Sequence, residues 1–136
     1  MIRTEDELIP VIDFKAELAK LTQFARTPTS PEADRRKGLG SIAPYRDGGI
    51  FASKFTGSGG WERHPAGDEI VYVLEGKTIL RLLTDAGPQD QELSAGMIMV
   101  VPTGVWHRFE SANGVTLMAV TRQPTEHPKV DVADPR

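Results

Sequence analysis

The chain has 136 residues, 39% hydrophobic and 26% charged, which suits one domain with a buried core. A net charge of −3 excludes the basic footprint of a nucleic-acid or anionic-membrane binder, and the lack of cysteine excludes disulfides and thiolate metal sites. No apolar run approaches the roughly 20 residues that span a bilayer. Arg3, Glu5, Asp6 and Glu7 stand where a signal peptide would be apolar, so a cytoplasmic location is expected.

Asp13 is a candidate N-cap, and Phe14, Leu18 and Leu21 follow at i, i+4 and i+7. A short amphipathic helix is predicted over Phe14–Leu21, packed on the rest of the fold or on a second subunit. Thr27 to Lys37 holds Pro28, Pro31 and a charged run, and reads as a loop. Its Arg35-Arg36-Lys37 cluster reads as three solvated charges rather than a phosphate contact.

From Gly38 onward the pattern is β. Strands are predicted at Leu39–Tyr45, Ile50–Thr56, Glu69–Leu74, Lys77–Leu83, Gln89–Leu93, Met97–Val101, Val105–Glu110 and Val115–Thr121. Arg46-Asp47-Gly48-Gly49 and Asp85-Ala86-Gly87-Pro88 read as turns, and Glu75-Gly76 as the turn of a hairpin. Gly57-Ser58-Gly59-Gly60 lacks the trailing Lys-Ser/Thr of a phosphate loop and reads as a connection. The run Ile70-Val71-Tyr72-Val73-Leu74 is apolar on both faces, so cover on both sides is expected, by a second sheet and by a helix or partner chain. Thirteen glycines and ten prolines fit such a turn-rich chain. The expected organisation is an N-terminal segment (1–37), an all-β sandwich or jelly roll (38–121) and a surface tail (122–136) that lies over this chain or a neighbour.

The chemistry converges on two blocks. If Trp61–Pro65 is extended, Glu62 and His64 share a face while Trp61 and Arg63 share the other. Glu69 opens the next strand and can approach from beside them. His107, with Val105 and Phe109 on its own face, would come from a distant strand that closes the barrel. Each has a plainer reading. His107 could be a core histidine bonded to a carbonyl, Glu62 and Arg63 a solvated edge, and Asp68 the true carboxylate in place of Glu69. His127 reads as a bystander in the tail. Trp106 either packs outward or lines a pocket mouth.

The spacing of these blocks resembles the cupin superfamily. His64, four residues, Glu69, six residues and Gly76 follow its first motif. Gly96, Pro102, Gly104 and His107 follow its second. Three positions depart: Thr56 stands where the first motif has glycine, Glu62 where it has its first histidine, and Ser111 where the second ends in asparagine. The resemblance implies a double-stranded β-helix with one divalent ion (iron, manganese, zinc or nickel) held by Glu62, His64, Glu69 and His107. It also implies a small-molecule ligand or substrate and a homodimer. Two carboxylates would neutralise the ion and favour manganese, ferrous iron or zinc over copper. Without Glu62, the rest form a two-histidine, one-carboxylate triad suited to ferrous iron.

The reactions implied are those of a metal-dependent dioxygenase or isomerase, with Tyr45, Tyr72 and Arg81 as candidate substrate contacts. Two alternatives stand beside this. One is a non-catalytic binding or sensing barrel. The other is an empty barrel in which Glu62 pairs with Arg63 or Arg108.

Overall fold

The computed structural model describes residues 8–136. Helix α1 spans Phe14–Ala19, two residues shorter than predicted, and Asp13 caps it by accepting a hydrogen bond from the Ala16 amide at 3.1 Å. Leu21, just past the helix, lies over Gly40.

Two elements were not predicted. Strand β1, Phe24–Arg26, is too short to carry a period of its own. Helix α2, Glu32–Gly38, replaces the expected loop. Pro31 stands at its N-cap, Glu32 and Asp34 occupy the first turn, and Arg35, Arg36 and Lys37 the last, an order that complements the helix dipole. Glu32–Arg36 and Asp34–Lys37 ion pairs lie along its exposed side at 2.8 and 3.5 Å. Arg35 points the other way.

Six further strands complete the fold: β2 (Leu39–Tyr45), β3 (Gly48–Ser58), β4 (Glu69–Thr84), β5 (Gly87–Ser94), β6 (Ile98–Val101) and β7 (Trp106–Arg122). The three long strands lie side by side as β3-β7-β4. β1 and β2 share the outer edge of β3, while β5 and β6 share that of β4. All pairs are antiparallel except β1 with β3. The expected hairpin at Glu75-Gly76 does not form. β4 continues through that point, paired with β7 on both sides of it. The two strands predicted at 105–110 and 115–121 are likewise one strand, β7.

A crease folds the long strands over. It crosses β3 at Gly57, β4 at Gly76 and β7 at Ser111–Gly114, where the pairing registers shift. Gly57 and Gly76 have φ of +85° and +72°, values that only glycine adopts without strain. A Cβ at either would collide with backbone, of Arg26 and of Gly114 respectively. Ser111 secures the crease by donating from Oγ to the Lys77 carbonyl at 2.7 Å and accepting from the Gly114 amide at 3.0 Å. The glycine expected at Thr56 is thus supplied one residue on, by the bulge at Gly57.

The folded-over halves enclose a core of Phe55, Val71, Val73, Leu80, Phe109 and Leu117, with neighbours from every long strand. This is the expected jelly-roll barrel. Val71 and Val73 face that core, but the other side of the run is not fully covered. Among the described residues, Ile70, Ile98 and Val100 form an exposed apolar row across β4 and β6. No described helix is long and apolar enough to cross a membrane.

Candidate metal centre

Fourteen residues separate His107 from Thr121, roughly 45 Å along a straight strand. Yet both reach the carboxylate of Glu69. The His107 Nε2 lies 3.2 Å from Oε1, and the Thr121 hydroxyl donates to Oε2 at 2.6 Å. The crease in β7 makes this possible by bringing the two ends of the strand over one another.

Glu62 is fixed by the backbone. It exchanges both hydrogen bonds with His107 at 2.9 Å, continuing the β3–β7 pairing past the Gly59-Gly60 excursion. Its Oε1 lies 3.4 Å from the His107 Nε2. His64 Nε2 lies 3.1 Å from the Glu69 Oε2. Side chains of His64, Glu69 and His107 are at most 4% exposed, and Glu62 is 16% exposed. One donor atom from each of the four lies within 4.8 Å of the others. The structure therefore brings together all four residues singled out from the sequence.

The polarity of the cluster is what an ion would need. Nδ1 of His107 lies 2.9 Å from the Val105 carbonyl. A carbonyl only accepts, so this nitrogen carries hydrogen and Nε2 faces the cluster. Nδ1 of His64 pairs with the Thr125 hydroxyl at 3.1 Å. Despite their short separations, His64 Nε2, Glu69 Oε1 and His107 Nε2 are buried without a hydrogen bond. They crowd one another without aligning for a hydrogen bond. Buried polar atoms left in this state are costly, and a divalent ion coordinated by all of them would remove the cost. The four residues could hold such an ion.

Without an ion the cluster is strongly polarised. Burial opposes charge on His107, but the carboxylates of Glu62 and Glu69 overcome it and raise its pKa to about 10. Burial likewise opposes charge on Glu69, yet the two imidazoles bring its pKa down to about 2. The pKa of Glu62 is lowered too, His107 outweighing its burial.

Other sequence readings resolve here. Asp68 is no ligand: it clamps the neighbouring loop, accepting from the Thr103 amide and hydroxyl at 2.8 Å each. Neither arginine proposed as a partner of Glu62 takes that role. Arg63 pairs with Glu126 and stacks 4.7 Å over Trp106, while Arg108 bonds the Gly59 carbonyl and lies over Trp61. Trp106 is thus packed outward beneath Arg63.

Glu62, His64 and Glu69 line a cavity of about 210 Å³, with fully buried His107 behind them. Tyr45, Tyr72 and Arg81 do not line it, and Arg81 is engaged by Asp90 and Glu110. The cavity wall instead includes Arg26, Thr121 and Thr125, which sequence reasoning passed over, together with Arg35, read from the sequence as a solvated charge, and His127, read as a bystander. Only Thr121 lay inside a predicted strand. The tail joins the site directly: Thr125 reaches His64, and Nδ1 of His127 lies 3.1 Å from the Trp61 carbonyl.

Two imidazoles and two carboxylates thus meet over a cavity inside a jelly-roll barrel. The chain belongs to the cupin family: residues 54–121, half its length, match the family model described as Cupin domain. Over 112 residues it is 32% identical to an acireductone dioxygenase of Rhodopseudomonas palustris, a match covering 82% of this chain and 63% of that protein. It therefore spans less than two thirds of that relative. Its fold is similar to a cupin-2 domain protein of Shewanella frigidimarina (TM-score 0.60, 24% identity, 86% of this chain and 94% of that one). A Neisseria meningitidis protein is comparably similar (TM-score 0.59, 24% identity, 84% and 100%).

Proposed function

We propose that this cupin is a metal-dependent enzyme that acts on a small organic molecule held in the barrel, with oxygenation as the favoured reaction. One observation carries the reading: three buried donor atoms, from His64, Glu69 and His107, lie together without hydrogen bonds at the floor of a cavity. In this reading His64, Glu69 and His107 ligate the ion, with Glu62 as a fourth ligand. Iron, manganese, zinc and nickel all suit this nitrogen and oxygen set. A bound ion would supply Lewis acidity and open positions for substrate or dioxygen. The chain itself supplies orientation, Thr121 holding Glu69 and the Val105 carbonyl holding His107. The 32% identity to an acireductone dioxygenase makes an acireductone the first substrate to offer, with oxygen uptake as the readout.

A binding or sensing barrel is the second reading, favoured by the four-residue set, which leaves the ion fewer open positions than a triad would. Elemental analysis of natively purified protein tests the shared premise. About one divalent ion per chain is expected, lost in His107→Ala. Purified protein without stoichiometric metal, and taking none up on dialysis, overturns both readings. Glu62→Ala then separates a four-ligand site from a triad.

The exposed row of Ile70, Ile98 and Val100 supports a homodimer packed sheet to sheet. A monomer in sedimentation at micromolar concentration would refute that arrangement.

A further inference from the structure

We propose that the cavity takes a small organic anion, its carboxylate held by the guanidinium groups of Arg26 and Arg35 and its apolar body resting on Phe24, Phe51 and Phe55. The inference deepens the metal reading and rests on it for the ion at the cavity floor.

Two elements deliver the arginines to one wall. Arg26 ends β1, and Arg35 lies on the inward side of α2. Both line the cavity with Glu62, His64 and Glu69. Six other arginines (36, 63, 81, 108, 122 and 136) sit in ion pairs. Among the described residues, Arg26 and Arg35 make none, and the Nε of Arg35 is buried without a hydrogen-bond partner. A buried N–H left without an acceptor is expensive.

Arg26 is held firmly in place. Its Cζ lies 5.0 Å from the centre of the Phe55 ring. Its guanidinium presses on Gly59, where a Cβ would stand 2.5 Å from Cζ. Burial lowers its pKa, only partly offset by Glu62, which marks a cation with too little counter-charge.

Charge and size narrow the ligand. In the loaded site the two carboxylates cancel a divalent ion, so the charge left facing the cavity is that of the two guanidiniums. The planar guanidinium fork matches a carboxylate with two parallel hydrogen bonds. A cavity of about 150 Å³ accommodates benzene, so about 210 Å³ accommodates a body of that size carrying one carboxylate. The remaining wall is largely aromatic and aliphatic, Phe109, Leu117 and Ala119 adding to the phenylalanines. The same two arginines border a second hollow of about 260 Å³, whose lining also includes Lys129 and Asp131.

Calorimetric titration of the zinc-loaded full chain with benzoate, and with benzamide as its neutral isostere, tests the inference. Benzoate should bind at least tenfold more tightly. Arg26→Gln and Arg35→Gln should each weaken benzoate tenfold or more, leaving benzamide affinity and zinc content unchanged, and Arg26→Lys should recover part of the loss. Equal affinities, absence of benzoate binding, or benzoate binding that survives both glutamine variants would overturn the clamp. If Arg26→Gln does not fold, the Arg35→Gln and Arg26→Lys titrations decide. The same titrations on chelator-stripped protein separate this inference from the metal reading. There the preference for benzoate persists, weaker, and is still lost in Arg35→Gln even if the chain proves unable to take up zinc.

Discussion

Metal uptake should expel one proton at neutral pH. In the ion-free cluster the His107 Nε2 lies 3.2 Å from Glu69 and 3.4 Å from Glu62, and the flanking carboxylates raise the imidazole to about 10 against the pull of burial. At pH 7 Nε2 therefore carries a proton that an incoming ion must displace. Three pH units below the pKa the free base is about one part in a thousand. Apparent affinity at pH 7 then falls short of its alkaline limit by a factor on the order of a thousand, about 4 kcal/mol. Glu69, held near 2, is already deprotonated and contributes no proton of its own. The logarithm of the association constant should thus rise by about one per pH unit between pH 7 and 9. Calorimetric titration of stripped protein with manganese, in buffers of differing ionisation enthalpy, counts the protons directly. Stoichiometric binding with no proton released at pH 7 would refute the reasoning.

The same shifts set the stability of the stripped protein. The raised His107 stabilises fully below its unfolded value near 6.5 and loses that contribution as pH climbs to about 10. The lowered Glu69 stabilises above its unfolded value near 4.5 and loses its contribution as pH falls to about 2. This cluster therefore favours the fold most between about pH 4.5 and 6.5.

Thr121→Val removes the 2.6 Å hydrogen bond to Glu69. It should cost the stripped protein about 1–3 kcal/mol in denaturant unfolding and weaken metal binding by roughly 10- to 100-fold. Unchanged metal affinity would end the view that Thr121 positions Glu69. Gly57→Ala forces a left-handed backbone on alanine and drives its Cβ into the Arg26 carbonyl. A loss of at least about 2 kcal/mol is expected in thermal unfolding, and one under about 1 kcal/mol would show that the crease tolerates a side chain.

That Glu62, His64, Glu69 and His107 come together could be read from the sequence because their spacing encodes geometry. Glu62 and His64 stand two apart, as one face of an extended segment requires, Glu69 opens the apolar run Ile70–Leu74, and His107 alternates with Val105 and Phe109. The path of the long strands could not be read that way. Glu75-Gly76 carries a turn composition whether the chain reverses or only bends, and the difference lies in pairing with β7, some thirty to fifty residues on. The clamp arginines were hidden for a different reason. Phe24–Arg26 is too short to show a period, and the prolines around α2 read as loop signals although Pro31 marks a helix start. The i,i+3 and i,i+4 charge pairs that stabilise that helix looked like mere solubility.

The last fifteen residues are a brace rather than a trailing end. Glu126 exchanges backbone hydrogen bonds with Arg63, Val132 accepts from the indole of Trp61 at 2.9 Å, and Thr125 meets the imidazole of His64. Successive residues of the strip that bears Glu62 and His64 are gripped from behind by one short stretch of chain. A protease that nicked the backbone just after Arg122 would leave the sheet's long ladders intact and still unseat half of the candidate ligand set.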